Sequence, residues 1–320
     1  MAPIFAAEKT HANALKGVLW SLLGTGIFAV ILSSAKLTGG EIPALQIIAI
    51  RYATGFLTVL AVAFAAGQGL GAFRSNDRPR HLLRGICGAV GGMCVLHAPT
   101  ESPLADATAL TLLEGVMILI LAALFLKERV GRIHIMSSII CIVGGYIVVT
   151  GSTADGGVGA VVGGTPWLGI TAALLGGLFI AFETILIKIL SGRERMLTML
   201  LYVNAFGALA AGIPALITWK AFDWNVFWPL LLLGPMAIVA QSCNIRAYRL
   251  ADASFLAPFG YSWLVFSGLL GFIVFAEIPT TAVWIGGAMI VAGGVLMTRM
   301  PIVPMVSQAA SDRKPPSNRP

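Results

Sequence analysis

The sequence predicts an all-α membrane protein of ten transmembrane helices, built as two inverted five-helix repeats. Composition is the first reason: hydrophobic residues make up 58% of the 320 residues and charged residues only 11%, whereas soluble domains carry about 25% charged residues. The second is that one sequence pattern occurs twice. The third is that Lys and Arg cluster between the apolar runs, where they orient membrane helices. The formal charge of +7 therefore does not indicate a nucleic-acid partner.

Ten apolar runs are long enough to serve as membrane spans. A helix that crosses a bilayer needs roughly 20 mainly apolar residues. The N-terminal stretch is polar as far as Ala14, and the first apolar run is too long for a signal peptide. We expect spans over residues 14–36, 44–66, 82–98, 104–126, 133–150, 167–190, 197–219, 227–248, 252–275 and 281–299.

The second half of each copy opens with matching tetrapeptides, residues 105–108 and 251–254. An apolar run follows, and then an acidic residue, Glu128 in one copy and Glu277 in the other. A helix with a glycine pair comes next, at the same distance from the glutamate in both copies. The first helices also match, because one set of residues recurs at a constant offset: Gly17, Leu22, Leu23, Gly24 and Lys36 as Gly169, Leu174, Leu175, Gly176 and Lys188.

Loop charge indicates that the two copies lie in opposite senses. If the N-terminus is cytoplasmic, most of the 21 Lys and Arg residues, Arg84 among them, fall on the cytoplasmic side, as the positive-inside rule requires. The loop 127–132 is basic, whereas its counterpart 276–280 has no Lys or Arg. Matching sequence with opposite loop charge is typical of inverted-repeat transporters, whose substrate site lies near the membrane midplane between the halves.

The predicted organisation has five parts. We expect both termini in the cytoplasm of a bacterial inner membrane. The glycine-rich linker lies on the other side, and the proline-rich C-terminal tail is disordered. The parts are an N-terminal tail 1–13, a first repeat 14–150, a linker 151–166, a second repeat 167–299 and a tail 300–320.

These residues resemble the EamA-type branch of the drug/metabolite transporter superfamily, over about residues 14–299. The resemblance rests on residues 102–107 leading through Glu128 to Gly144-Gly145, and on residues 250–253 leading through Glu277 to Gly293-Gly294. Lys36, Lys188 and Arg51 fit the same pattern. One departure is that Glu101 and Glu114 stand where most members are expected to have neutral residues.

The resemblance implies a secondary transporter that moves a small polar metabolite, such as an amino acid, a vitamin or a nucleoside-like compound. Export is the commoner assignment in the family, so we expect an exporter. The alternative is an uptake carrier for riboflavin or S-adenosylmethionine. An aromatic-lined site would suit either compound.

Two carboxylates inside predicted spans are the first candidates for substrate binding or coupling. An ionisable group at the bilayer centre costs about 2.5–3.5 kcal/mol on insertion scales, so it needs a reason. Glu114 lies near the middle of the fourth span, and Glu183 lies in the sixth. Each either carries a proton or contacts a cationic group, or else forms a structural ion pair between helices. We expect one of them to face a midplane cavity lined by the first, third, fourth, sixth, eighth and ninth spans.

Three basic residues also lie in or near the spans. Arg51 either binds a carboxylate or phosphate group of the substrate, or pairs with Glu114 or with backbone carbonyls. Lys36 and Lys188 recur in both copies, but lie near helix ends and can extend to the interface. Glu128 and Glu277 flank loops, which favours a helix cap or a gate contact over substrate binding.

Polar and aromatic residues complete the candidate set. The amides Asn204, Gln241 and Asn244 either line the site or form helix–helix hydrogen bonds. Tyr261 and Trp263 either line an aromatic cavity, or face lipid or pack between helices.

The sequence favours transport over two other classes. It contains no phosphate-binding, haem or zinc-protease motif, and its four cysteines have no metal-ligand spacing to histidines. We therefore expect no enzyme activity, cofactor or metal. A structural or assembly membrane protein is the remaining alternative. Expected partners are a small-molecule substrate and the lipid bilayer, and a homodimer is left open.

Overall fold

All regular structure in the described part of the chain is helical. The computed structural model describes residues 2–37, 42–101, 111–128, 130–154, 166–221, 224–276 and 281–298. The helices are α1 (Ala2–Leu37), α2 (Ala44–Ala65), α3 (Arg78–Glu101), α4 (Glu114–Leu121), α5 (Arg132–Ala154), α6 (Pro166–Ser191), α7 (Met196–Ile217), α8 (Trp224–Leu231), α9 (Leu233–Leu250), α10 (Ala253–Gly260), α11 (Ser262–Phe275) and α12 (Thr281–Thr298).

Eight segments of the described chain are long and apolar enough to cross a membrane. They correspond to all the predicted spans except the third and the fourth. The third lies within α3, whose first turns carry arginine and histidine. The fourth is described only from residue 111, and it contains the shorter apolar helix Glu114–Leu126. The chain is thus a multi-pass, all-helical membrane protein.

Two predicted spans are interrupted. The eighth span is broken between α8 and α9 at Leu232, where the ring of Pro235 would clash with the carbonyl of residue 231 in a continuous helix. The ninth is broken between α10 and α11 at Tyr261, directly after Gly260. Discontinuous helices are common at the substrate sites of transporters.

The ends of α4 and α11 have the same unusual backbone conformation. A π-helical turn, Ala122–Leu126, extends α4, and Lys127 then ends the helix with φ 56°. Ala276 ends α11 with φ 53°. Among the described residues, these are the two non-glycine positions with positive φ, a conformation that is uncommon for such residues. Each directly precedes a repeated glutamate, Glu128 or Glu277.

Small residues bring particular helices together. The main packing pairs are α5 with α12, α3 with α6, α1 with α9, and α2 with α7. In the first pair, the backbones of Gly144 and Gly286 are in direct contact, and Ser137 Oγ donates to Gly293 O over 2.6 Å. Such close backbone contact between membrane helices requires residues without bulky side chains.

The close contact between α5 and α12 predicts that a larger residue at Gly286 destabilises the protein, and the adjacent Gly287 provides a control. In Gly286→Ala the new Cβ would lie 2.7 Å from Val148 Cγ2, whereas in Gly287→Ala its nearest neighbour is Val265 Cγ2 at 3.9 Å. Overpacking typically costs about 1–3 kcal/mol. We therefore expect Gly286→Ala to lower the melting temperature in detergent and Gly287→Ala to leave it unchanged. Equal melting temperatures for the two variants would contradict the observed packing.

Candidate functional site

A fully buried arginine lies inside the helix bundle. Arg84, in α3, has 0% exposure. Its Nη1 donates to Met199 O of α7 over 3.2 Å, while Nε and Nη2 have no hydrogen-bond partner among the described residues. A buried charge is costly unless an opposite charge lies close to it. The group that balances Arg84 is Glu183.

Glu183 belongs to α6, and its Oε1 lies 3.7 Å from Arg84 Nε. Its carboxylate lies against Gly88 of α3, so closely that a Cβ at this glycine would be 2.7 Å from Oε2. The carboxylate keeps 19% side-chain exposure. The pair joins α3, in the predicted first half, to α6, in the predicted second half.

Glu114 lies in the first turn of α4, against Gly177 of α6. It is near enough to Glu183 for the two carboxylates to interact electrostatically. Tyr248 of α9 interacts electrostatically with both carboxylates, and its side chain forms a hydrogen bond with Thr184. Both predicted carboxylates therefore belong to one electrostatic cluster.

Arg51 of α2 adds a second guanidinium to this cluster. Its Cζ lies 4.0 Å from the ring centroid of Tyr52, and it interacts electrostatically with Glu183. Two carboxylates and two guanidinium groups thus occur together at the contact between the predicted halves. Such a cluster can bind a molecule that carries both signs of charge, and its carboxylates can accept and release protons.

Two of the three predicted amides lie at helix contacts. Asn204 is fully buried, donates to Leu200 O of its own helix and lies against Gly55 of α2. Asn244 lies against Gly24 of α1. Gln241 is buried, and its Oε1 has no hydrogen-bond partner among the described residues. The positions of Asn204 and Asn244 fit helix packing rather than the charged cluster.

The two predicted aromatic residues also pack in the core. Tyr261 is buried and donates its hydroxyl to Leu112 O over 2.7 Å, which ties the break between α10 and α11 to the start of α4. Trp263 packs at the edge of an apolar cluster that contains Tyr261 and Leu264. Tyr261 nevertheless borders the charged cluster, because its hydroxyl lies against Gly115 and it interacts electrostatically with Glu114.

Lys188 and Glu128 each contact the junction between α9 and α10, away from the charged cluster. Lys188 Nζ donates to the carbonyl oxygens of Tyr248 and Ala251. Glu128 accepts hydrogen bonds from Ala253 and Ser254. The side chains of Lys36 and Glu101, and the whole of Glu277, lie outside what the structure describes.

Arg84 is the main residue that sequence reasoning missed, because it was counted among the cytoplasmic basic residues. A signal was present, since Arg84 falls inside the predicted span 82–98. Tyr52 and Tyr248 were also missed, and nothing in the sequence distinguishes them from packing aromatics.

Away from the cluster, a cavity of about 510 Å³ lies among the loops at one end of the molecule. Arginines and acidic residues alternate around it: Gly71, Arg74, Asn76, Asp77, Arg193, Glu194, Arg195 and Thr198. It lies at loops predicted to be cytoplasmic rather than at the midplane. In the described part of the chain, no group of three or more His, Cys, Asp or Glu side chains could hold a metal ion.

The contact between Glu183 and Gly88 predicts a specific loss of function. Gly88→Ala places a Cβ 2.7 Å from Glu183 Oε2, so the carboxylate must move. One turn further along α3, a Cβ at Gly92 would have Ile48 Cδ1 at 3.8 Å as its nearest neighbour. We expect Gly88→Ala to reduce transport by about tenfold, the effect of about 1.4 kcal/mol, and Gly92→Ala to transport normally. Normal transport by both variants, at matched expression, would contradict this role of the Glu183 position.

Comparison with known proteins identifies the family. The model of the EamA-like transporter family matches residues 15–150 and again residues 167–299. The chain belongs to the EamA-like transporter family. By its description this is a family of transporters.

Several curated EamA-like relatives are similar over nearly their whole length. A pseudopaline exporter of Pseudomonas aeruginosa is 28% identical over 88% of this chain and 96% of its own. A riboflavin transporter of Vibrio cholerae is 27% identical, with 90% of this chain and 94% of the relative covered. An S-adenosylmethionine uptake transporter of Rickettsia prowazekii is 24% identical, with 89% and 92% covered.

The EamA-like fold is also found among solved structures. A protein of known crystal structure superposes with a TM-score of 0.72, covering 89% of this chain and 96% of that one, at 21% identity. At this identity the likeness concerns the fold alone.

Proposed function

We propose that this chain exports a small polar metabolite across the bacterial inner membrane by alternating access, as a secondary transporter. One observation carries the proposal: the contact of Glu183 with the buried Arg84, between the two predicted halves. Glu114 and Arg51 interact with the same carboxylate. Charged groups inside a membrane protein are expensive, and they commonly mark a substrate or proton pathway.

An inverted repeat of ten helices is part of the proposal, and the packing pattern supports it. A pseudo-two-fold axis exchanges the first span with the sixth and the third with the eighth. The packing of α1 on α9 then corresponds to that of α6 on α3, while α2–α7 and α5–α12 map onto themselves. The further pairs α1–α11 and α4–α6 correspond in the same way.

Individual contacts follow the same symmetry. Gly24 lies against Asn244, and the repeated glycine Gly176 lies against Val95. Val95 and Asn244 are separated by the same offset as Glu128 and Glu277. Repeat-related glycines therefore contact repeat-related positions, which favours two copies of one unit with a site between them.

The chemistry of the cluster favours a substrate that carries polar or charged groups. Two carboxylates can bind an ammonium group or carry protons, and the partly exposed guanidinium of Arg51 can bind a carboxylate. An amino acid, a vitamin or a nucleoside-like compound fits this description. The similar proteins named for pseudopaline, riboflavin and S-adenosylmethionine fit the same broad range.

Export is preferred because one of the similar proteins is named an exporter. The alternative is uptake of riboflavin or S-adenosylmethionine, favoured by the names of other relatives. A structural or assembly role is disfavoured, because it does not require charged groups between the halves.

Oriented vesicles test both activity and direction. Labelled amino acids, riboflavin and S-adenosylmethionine are offered to inside-out and right-side-out membrane vesicles, with an imposed pH gradient. An exporter accumulates its substrate in inside-out vesicles only, compared with vesicles that lack the protein. Accumulation only in right-side-out vesicles would replace export by the uptake alternative. No protein-dependent accumulation would count against all the compounds offered.

The proposed topology places both termini in the cytoplasm and the linker 151–166 outside it. Its support is the cluster of Lys and Arg in loops such as 127–132. Labelling of cysteines introduced at residue 320 and in the linker, with an impermeant reagent, tests it. A tail reachable only from outside the cell would contradict the topology.

A further inference from the structure

We infer that Glu128 and Lys188 form a latch that keeps the transporter closed on the cytoplasmic side, and that release of the latch opens the site there. The latch acts on the junction of α9 and α10. The inference rests on the proposed alternating access and concerns the device that closes one side. It uses residues that lie apart from the Arg84–Glu183 cluster.

Glu128 caps a helix that belongs to the other half of the chain. Its Oε1 accepts from Ala253 N–H over 3.0 Å, and its Oε2 accepts from Ser254 N–H over 2.8 Å and Ser254 Oγ over 2.7 Å. The first amides of a helix lack partners within the helix, and a carboxylate there is also favoured by the helix dipole. One buried carboxylate thus joins the loop after α4 to the start of α10.

The backbone before Glu128 directs it to this position. Lys127 adopts φ 56° and ends the π-helical turn, so the chain turns sharply and Glu128 N donates to Ala122 O over 3.2 Å. Left-handed backbone at a lysine is unfavourable by itself, so contacts elsewhere must compensate for it. The sharp turn that it produces places Glu128 in the orientation that the cap requires.

Lys188 of α6 forms hydrogen bonds to the same junction. Its Nζ donates to Tyr248 O over 3.0 Å and to Ala251 O over 2.5 Å, and lies 3.5 Å from Asp252 Oδ1. These carbonyls are near the C-terminal end of α9, where cations are favoured. The end of α9 and the start of α10 are thus held by opposite charges.

Location and reversibility distinguish this arrangement from an ordinary cap. Basic residues cluster around it, with Lys127 and Arg132 on one half and Arg246 and Arg249 on the other, so it lies on the predicted cytoplasmic side. The Glu128 bonds are the ones that cross between the halves, and water can replace these polar contacts once the halves separate. The Lys188 bonds lie within the second half and hold the junction in the position that Glu128 caps. Tyr248 also reaches Glu114 and Glu183 electrostatically, which connects the junction to the charged cluster.

Spin labels across the cytoplasmic face test the latch without any substrate. Arg132 and Gly192 are exposed, they belong to different halves, and a Cβ at Gly192 has nothing within 4 Å. Both are changed to cysteine for labelling in a background that lacks the four native cysteines, and electron–electron distances are measured in nanodiscs. We expect Glu128→Gln to raise the population with a longer distance by about tenfold, as for loss of a charge-assisted hydrogen bond. Ser254→Ala is expected to give a smaller increase.

Two controls separate a latch from general damage. Thr58→Ala removes a side-chain hydrogen bond within α2, and Glu277→Gln changes the matching carboxylate of the other repeat. Neither is expected to lengthen the distance. The melting temperature of Glu128→Gln must also stay within the range of the controls. Lys188→Met is a second variant of the latch, and it is measured in the same way. Unchanged distances in both Glu128→Gln and Lys188→Met, with folded protein, would overturn the inference even if transport itself is established.

Discussion

Arg84→Gln is expected to destabilise the protein more than any other single change considered. The substitution leaves the carboxylate of Glu183 without its 3.7 Å partner, and removes the donor to Met199 O. Breaking a buried ion pair from one side typically costs about 3–5 kcal/mol, because an uncompensated charge remains. Thermal unfolding in detergent, with the yield of monodisperse protein, measures the loss.

The double variant Arg84→Gln/Glu183→Gln is the matched control. It removes both charges at once, so the cost of the orphaned carboxylate disappears, and we expect it to recover most of the lost stability. If the double variant is as unstable as the sum of its single variants, the two residues do not act as a pair.

Glu183→Gln is expected to have the largest effect on transport. Glutamine keeps the shape but cannot hold a proton or the negative charge that balances Arg84 at 3.7 Å, and each loss of about 1.4 kcal/mol in transition-state stabilisation lowers a rate about tenfold. We therefore expect transport to fall by about 10–100-fold at normal expression, measured as initial flux into vesicles over a range of pH.

Glu114→Gln distinguishes proton coupling from substrate binding. If Glu114 carries the proton, this variant keeps substrate exchange but loses the response of flux to an imposed pH gradient. Normal expression and unchanged pH dependence in both the Glu114 and the Glu183 variants would show that neither carboxylate couples transport. Their role would then be structural.

The helical membrane character of this chain follows from composition and periodicity alone. Apolar runs near 20 residues can satisfy their backbone in lipid only as helices, so the eight candidate spans lie where the sequence predicts them. The recurrence of Gly24 as Gly176 was also visible in the sequence, but the helices that these glycines pack against were not. Intramembrane carboxylates were visible as candidates because each is costly in lipid.

Sequence could not assign partners, since partners are set by packing between distant helices. Arg84 was counted as a topology signal, because arginines near a helix end usually reach the interface, yet here α7 covers it. Tyr261 was predicted as either a cavity or a core residue, and its bond to Leu112 O depends on the helix break. The break at Leu232 was readable from Pro235 but was masked by the continuous apolar run.

Substrate counterflow in proteoliposomes tests the central claim most directly, since exchange requires a site that alternates between the two faces. Liposomes containing the purified protein are loaded with a metabolite extract, and labelled candidate compounds are added outside. We predict transient accumulation of at least one labelled compound with the wild-type protein. We predict none with Arg84→Gln/Glu183→Gln reconstituted to the same level. Equal accumulation with both proteins would contradict the site, and no accumulation of any compound with the wild type would contradict the proposed exchange of small polar metabolites.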